Sequence, residues 1–122
     1  MSLFISTTDI FEKDISKIKG NSHIIERINY FIAKLELCDF DISQDNIEVQ
    51  EISVCKDIKT KLYLYKITKD YRVIFNIDFD KLFNAVTITF YAICKHETSK
   101  KYTKIIVNAL KQEFGACDNE SK

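Results

Sequence analysis

The hydrophobic residues of this chain change their spacing near residue 58, from a helical period to a period of two. Phe11, Ile15 and Ile18 lie at i, i+4 and i+7, which places them on one side of a helix, and residues 24–35 repeat that stripe. From Lys61 onward, apolar and polar residues alternate as they do in strands. The switch predicts an α+β fold in which an amphipathic helical hairpin packs on a sheet.

The second part of the chain predicts three strands joined by turns. Two alternating segments, 61–67 and 71–77, flank a tight turn at 68–70, and a longer turn is expected at 78–84. The segment 85–95 is rich in β-branched and aromatic residues and is apolar on both faces at its centre, as in a central strand. Short connections between successive strands predict a small antiparallel meander.

The N-terminal part begins with a short strand candidate, Leu3–Ile5, before the two helices. Thr8 or Asp9 can cap the first helix, because both side chains accept hydrogen bonds from the free N–H groups of a first turn. The segment Gly20–Ser22 ends that helix and offers a cap for the second.

Three further segments complete the expected fold. Residues 38–58 are acidic and fit either strand or irregular structure. A last amphipathic helix begins at Thr98 or Ser99, and we expect all helices on one face of the sheet. Residues 1–114 then form a single domain, and 115–122 form a flexible tail.

The composition is that of a globular protein: 46% of the 122 residues are hydrophobic and 30% are charged. No uncharged apolar run approaches the ~18 residues that a membrane helix needs. The start of the chain has no basic cluster, apolar segment or cleavage site of a signal peptide. We therefore expect a cytoplasmic protein without membrane contact.

The sequence predicts neither a metal site nor a small-molecule cofactor. The four cysteines, at positions 38, 55, 94 and 117, are widely spaced without a CxxC or CxxH pair, which favours free thiols over a zinc site or disulfides. No glycine-rich phosphate loop and no GxSxG motif are present.

Charge is divided unequally although the net charge is zero. Residues 1–57 carry 6 Lys/Arg and 11 Asp/Glu, whereas residues 58–122 carry 12 and 7. A positive second half indicates an anionic partner such as nucleic acid, although a solvated surface of mixed charge would show the same counts.

Cationic residues concentrate around the strand ends of the predicted meander. Because the end of one strand lies beside the start of its antiparallel neighbour, Lys66, Arg72 and His96 can converge on one edge, with Tyr102 close behind. The candidate RNA-binding residues around them are Lys59, Lys61, Lys69, Lys95, Lys100 and Lys101.

This set has the groups that metal-free RNA cleavage requires. The 2′-hydroxyl of RNA attacks the adjacent phosphate once a base removes its proton, and His96 is the candidate for this proton transfer because histidine is the residue type best suited to it near neutral pH. Arg72 offers a fork of donors to phosphate oxygens, and Tyr102 can stack on a base or hold a phosphate. Each also has a plainer interpretation: His96 as a solvated strand end, Tyr102 as core, and Arg72 as a surface cross-strand pair.

Two segments resemble a known family. Residues 66–75 (KITKDYRVIF) and 93–102 (ICKHETSKKY), in this element order, resemble the RelE/ParE superfamily of bacterial toxins from type II toxin–antitoxin systems. The likeness extends over most of the chain, including the N-terminal helical hairpin.

The resemblance implies a toxin that a cognate antitoxin neutralises and that cuts mRNA on the ribosome. Arg72 matches the family's phosphate-contacting strand arginine, His96 falls where members have Arg or His, and Tyr102 matches a late tyrosine. Lys66 or Lys61 corresponds to the strand lysines, and we place Lys66 in the catalytic set. Two alternatives stay open: a ParE-like DNA gyrase inhibitor without catalytic residues, and an inactive member that only binds antitoxin.

Overall fold

The computed structural model describes residues 2–18, 20, 22–40, 47–55 and 58–113, so the predicted tail at 115–122 lies outside the described residues. Helices and strands follow one another in the predicted order, with one additional strand. In chain order they are β1 (Ser2–Thr7), α1 (Asp9–Lys17), α2 (Ser22–Leu37), β2 (Ile47–Cys55), β3 (Ile58–Lys66), β4 (Tyr71–Asp80), β5 (Ala85–Lys95), a 3₁₀ turn (His96–Thr98) and α3 (Ser99–Glu113).

The strands form one five-stranded sheet in the order β1-β5-β4-β3-β2. Strands β2 to β5 are successive antiparallel neighbours, which confirms the meander, and β1 adds to β5 in parallel. The additional strand, β2, lies in the segment 38–58, for which the sequence allowed either a strand or irregular structure. Its antiparallel pairing with β3 shows that residues 47–55 are a strand. Strand β4 runs to Asp80, so the turn before β5 is shorter than the 78–84 expected.

The helices cover both faces of the sheet, so the expectation that all of them lie on one face is wrong. Neighbouring residues of β4 show the division: Val73 and Phe75 pack in a cluster with α1 and α2, whereas Ile74 packs in a second cluster with α3. Central strands that are apolar on both faces expose apolar surface unless each face is covered, and α3 covers the second face.

The larger core lies between the helical hairpin and the sheet, and aromatic rings fill its centre. The Phe31 ring from α2 stacks on Tyr65 with centroids 3.9 Å apart and meets Phe75 edge-on at 5.4 Å. Both phenylalanines are fully buried. Burying one such side chain contributes roughly 1.5–3 kcal/mol, so this cluster fixes the hairpin against the sheet.

Candidate functional site

The β3–β4 turn and the β5–α3 junction meet at one end of the sheet. In the strand register Arg72 of β4 lies directly opposite Lys66 of β3 on one side and Cys94 of β5 on the other. Cross-strand partners share a face, so these three side chains lie on the α3 face. The backbone N–H of His96 donates to the Asp70 carbonyl over 2.8 Å, which ties the start of the 3₁₀ turn to the β3–β4 turn.

The guanidinium of Arg72 is held by the turn that precedes it. Its Nη1 atom donates to the carbonyl oxygens of Thr68 (3.0 Å), Lys69 (3.2 Å) and Tyr71 (3.1 Å). Among the described residues, no group accepts from Nε or Nη2. The turn therefore fixes one arm of the fork and leaves the N–H groups of the other two nitrogens for an anion.

A β-bulge in β5 decides which side chains accompany Arg72. The β4–β5 register changes from the pair Phe75–Phe90 to the pair Ile74–Ala92, so Tyr91 is an additional residue in β5. A bulge of one residue reverses the face of every residue beyond it. Without it the partner of Arg72 would be one residue earlier in β5.

The bulge therefore places Cys94, not Ile93, beside Arg72, and it sets the position of His96 two residues later. Ile93 instead joins the core under the helical hairpin. The imidazole of His96 is exposed, and within the described ranges it makes no hydrogen bond. Backbone geometry thus brings His96 to the end of the sheet where Arg72 lies, while its side chain faces solvent.

Helix α1 holds the bulge from the open side of β5. Strand β1 ends at this point, and the N-cap residue Thr8 continues the contact: its N–H donates to Phe90 O (3.2 Å) and its hydroxyl to Tyr91 O (2.7 Å). Further along α1, Asp14 Oδ2 accepts the N–H of Ile93 over 2.9 Å. Two side chains of α1 thus satisfy backbone groups that would otherwise have no strand partner.

Asp14 was not among the residues predicted from the sequence. Burial raises the pKa of its carboxyl above 3.8, whereas the bond from the Ile93 N–H and the charge of Lys17 lower it. The sequence nevertheless contains a sign that this side chain is buried, because Asp14 lies three residues after Phe11 and four before Ile18, on the apolar side of α1. A carboxylate on an apolar helix stripe indicates a buried acceptor, here for the backbone of β5.

Tyr102 and Cys94 are part of the cluster that joins α3 to the sheet. Tyr102 is half-buried against this cluster, and burial is the largest cause that raises the pKa of its phenol. Burial likewise raises the pKa of the Cys94 thiol to about 11, although the charge of Arg72 acts in the opposite direction. At neutral pH the thiol beside Arg72 is therefore protonated and is a poor nucleophile.

No protein-family model and no curated protein sequence matches the chain. Two solved structures match its fold. The YoeB/ParE toxin from Agrobacterium tumefaciens is 15% identical with a TM-score of 0.56, over 79% of this chain and 99% of that one. The YoeB dimer from Staphylococcus aureus is 13% identical with a TM-score of 0.54, over 79% and 98%.

The chain has the RelE/ParE toxin fold. At these identities the likeness establishes the fold alone. It confirms the fold that the resemblance of the segments 66–75 and 93–102 implied, and the α+β class with it. The roles of individual site residues stay predictions.

The RelE/ParE fold distributes the predicted lysines over two ends of the sheet. Lys69 in the β3–β4 turn, and Lys100 and Lys101 in the first turn of α3, are exposed on the elements that meet near Arg72. Lys95 lies opposite Tyr71 in the register, so its side chain is on the other face from Arg72. The structure therefore does not bring all predicted cations together.

Lys59 and Lys61 line a cavity of about 600 Å³ at the far end of the α3 face. Here β3 and β4 separate, and the side-chain amide of Asn76 donates to Lys61 O (2.9 Å) across the gap. Asn76 and Arg72 share this face four residues apart, about 13 Å at ~3.3 Å per residue. Lys59 also forms an ion pair with Glu51 at 3.6 Å, between two exposed side chains.

Three remaining predictions concern metals, membranes and cysteines. Across the described ranges, no three His, Cys, Asp or Glu side chains are placed to hold a metal ion, and no helix is long and apolar enough to cross a membrane. Cys38 and Cys94 are free thiols. The side chains of Cys55 and Cys117 lie outside the described residues.

Proposed function

We propose that this chain is the toxin of a type II toxin–antitoxin system and acts as a metal-independent endoribonuclease on ribosome-bound mRNA. The toxin fold supports the first part. The second part rests on one observation: Arg72 lies between Lys66 and Cys94 on the α3 face, at the sheet end where His96 begins the next turn. The proposed partners are a cognate antitoxin, the ribosome and mRNA.

In the proposed reaction Arg72 binds the scissile phosphate. Its Nη1 is engaged by the turn, so the donors of Nε and Nη2 meet two phosphate oxygens. Lys66, opposite Arg72 in the register, adds a second positive charge. Both cations stabilise the additional negative charge that the phosphorane carries when the 2′-oxygen attacks.

His96 is the proposed proton carrier. It takes the proton of the 2′-hydroxyl or gives one to the departing 5′-oxygen, and the products are a 2′,3′-cyclic phosphate and a 5′-hydroxyl. Tyr102 is the orienting residue, because its phenol stays protonated at neutral pH and can donate a hydrogen bond or stack on a base. The flanking Lys69, Lys100 and Lys101 attract the RNA backbone.

The test is a map of mRNA 5′ ends during pulsed expression without antitoxin. When the unmutated chain is expressed, we expect cuts inside the codons of translated messages. H96A removes the proton carrier, and a loss of general acid–base catalysis lowers cleavage roughly 10²–10⁴-fold. K104A, a substitution at an exposed lysine of α3, is the matched control and should cleave normally.

Other results identify the alternatives. If growth stops while mRNA stays intact and DNA gyrase is inhibited, the chain is a ParE-like inhibitor and not a nuclease. Absence of arrest from a folded protein that binds antitoxin would indicate an inactive member. Circular dichroism of each variant separates loss of chemistry from loss of fold.

A further inference from the structure

The backbone carbonyls of residues 67–71, around the β3–β4 turn, all accept hydrogen bonds. Three of them accept from Nη1 of Arg72, at distances between 3.0 and 3.2 Å. A fourth, that of Asp70, accepts the backbone N–H of His96 over 2.8 Å. The turn is therefore the frame to which the Arg72 guanidinium and the start of the 3₁₀ turn are both attached.

The fifth carbonyl, that of Ile67, accepts a bond from a side chain of α2. Nε of Arg27 donates to this oxygen over 3.0 Å. In a closed pair the Tyr71 N–H would donate to it, because the Ile67 N–H already donates to Tyr71 O over 3.1 Å. The Tyr71 N–H donates instead to the Thr68 hydroxyl over 3.3 Å. Within the described part of the chain, Arg27 therefore supplies the bond that the β3–β4 pair does not.

This bond fixes a peptide group that side-chain packing leaves free to rotate. The side chain of Ile67 is fully buried in the core under the helical hairpin, which fixes the position of the residue. Packing does not fix the peptide plane that follows, because ψ of Ile67 and φ of Thr68 are soft dihedrals. The next carbonyl is that of Thr68, which accepts from Arg72. A rotation of the peptide group after Ile67 therefore displaces the first carbonyl that holds the guanidinium.

Arg27 acts from the face of the sheet opposite to the proposed nuclease site. Helix α2 packs on the core of the helical hairpin, whereas Arg72 and its register partners Lys66 and Cys94 lie on the α3 face. The side chain of Arg27 is exposed and reaches the backbone of the turn, so its effect on Arg72 passes through that backbone.

We propose that Arg27 is a positioning residue for the nuclease site, an inference that rests on the function proposed above. Its bond to Ile67 O fixes the β3–β4 turn, and the turn holds Arg72 and the start of the 3₁₀ turn at His96. A displacement of about 1 Å at a reacting group can lower a rate ~10²-fold. Loss of the bond should therefore slow the chemical step and leave the binding of RNA nearly unchanged.

Two substitutions at position 27 isolate the hydrogen bond from the charge. Both R27Q and R27M remove the positive charge. The amide nitrogen of glutamine lies as many bonds from Cα as Nε of arginine, so R27Q keeps a donor, whereas R27M has a methyl group at that position. K13M removes an exposed positive charge from α1, the other helix of the hairpin, and is the matched control.

Single-turnover cleavage of mRNA on purified ribosomes separates the chemical step from binding. We expect R27M to lower the rate at saturating toxin about tenfold or more, since it misplaces the phosphate-binding group. The toxin concentration that gives half of the maximal rate should stay close to that of the unmutated chain. R27Q and K13M should cleave nearly as fast as the unmutated chain.

Amide hydrogen exchange, measured by NMR, tests the positioning without any cleavage. The His96 N–H donates to Asp70 O, so it should exchange roughly tenfold faster in R27M than in R27Q when the turn loosens. The Ile93 N–H, which Asp14 of α1 binds, is the internal control and should exchange equally in both variants. R27A, which also lacks the donor, replaces R27M if that variant does not fold.

Three results would overturn the proposal. The first is an equal loss of cleavage in R27Q and R27M, because the charge would then matter and not the bond. The second is weaker binding of R27M at an unchanged maximal rate, which would make Arg27 an RNA contact. The third is unchanged exchange of the His96 N–H in R27M. If the unmutated chain cleaves no message, the proposed nuclease is refuted, and the exchange of this N–H alone decides whether Arg27 holds the turn.

Discussion

Replacing Asp14 tests how α1 holds the bulge of β5. D14A removes the acceptor of the buried Ile93 N–H, and an unsatisfied buried donor costs about 1–3 kcal/mol. For a domain of this size, a loss of ~2 kcal/mol lowers Tm by about 8 °C. D14N keeps the size of the side chain and an oxygen that can accept the same bond, so it should cost less than D14A.

The pH dependence of the same variants tests the burial of the carboxylate. Because burial raises the pKa of Asp14 in the folded state above the ordinary 3.8, folding is coupled to proton uptake between those two values. The stability that this group contributes is fully present below the unfolded pKa and is lost as pH rises through the folded pKa. D14N cannot titrate, so the natural chain should lose stability relative to D14N as pH rises from 3 toward neutrality.

Urea unfolding followed by circular dichroism, at pH values from 3 to 7, measures both effects. K13A changes an exposed residue of the same helix and is the matched control. The explanation is refuted if D14A is as stable as K13A, or if the natural chain and D14N show parallel stability across this pH range. In the first case β5 does not depend on this bond, and in the second the carboxyl is not desolvated.

Three further predictions follow from contacts near the bulge and the site. T8A removes the N-cap of α1 and the hydroxyl bond to Tyr91 O, and should lower the free energy of unfolding by about 2 kcal/mol in urea titrations. Cys94, buried and with its pKa raised to about 11, should react with iodoacetamide at pH 8 far more slowly than the partly exposed Cys38, as measured by mass spectrometry of digested peptides. R72K keeps the positive charge but loses the planar set of guanidinium donors, so mRNA cleavage should fall at least tenfold. Thermal unfolding should show that the variant is folded, and normal cleavage would contradict the bidentate role of Arg72.

Local patterns predicted the elements well where periodicity was strong. Strand β5 begins and ends at the predicted residues 85 and 95, and the Thr8 cap was one of two candidates. The acidic segment before β3 gave no decision, because the alternation that would indicate a strand is weak there. Strand β2 forms because β3 offers it an edge, and pairing with a neighbour is not a property of the segment itself.

The sequence by itself determined that this chain has three amphipathic helices, a meander and a cationic second half, since each of these is a matter of residue spacing and charge. Only the tertiary structure decided that α3 covers the second face of the sheet. An apolar stripe on a helix requires a partner surface, but it does not specify which surface that is. The tertiary structure also decided, through the extra residue at Tyr91, that Cys94 lies beside Arg72. A bulge is invisible to a count of alternating residues, because it exists only where a strand is held against its neighbours, here by Thr8 and Asp14 of a distant helix.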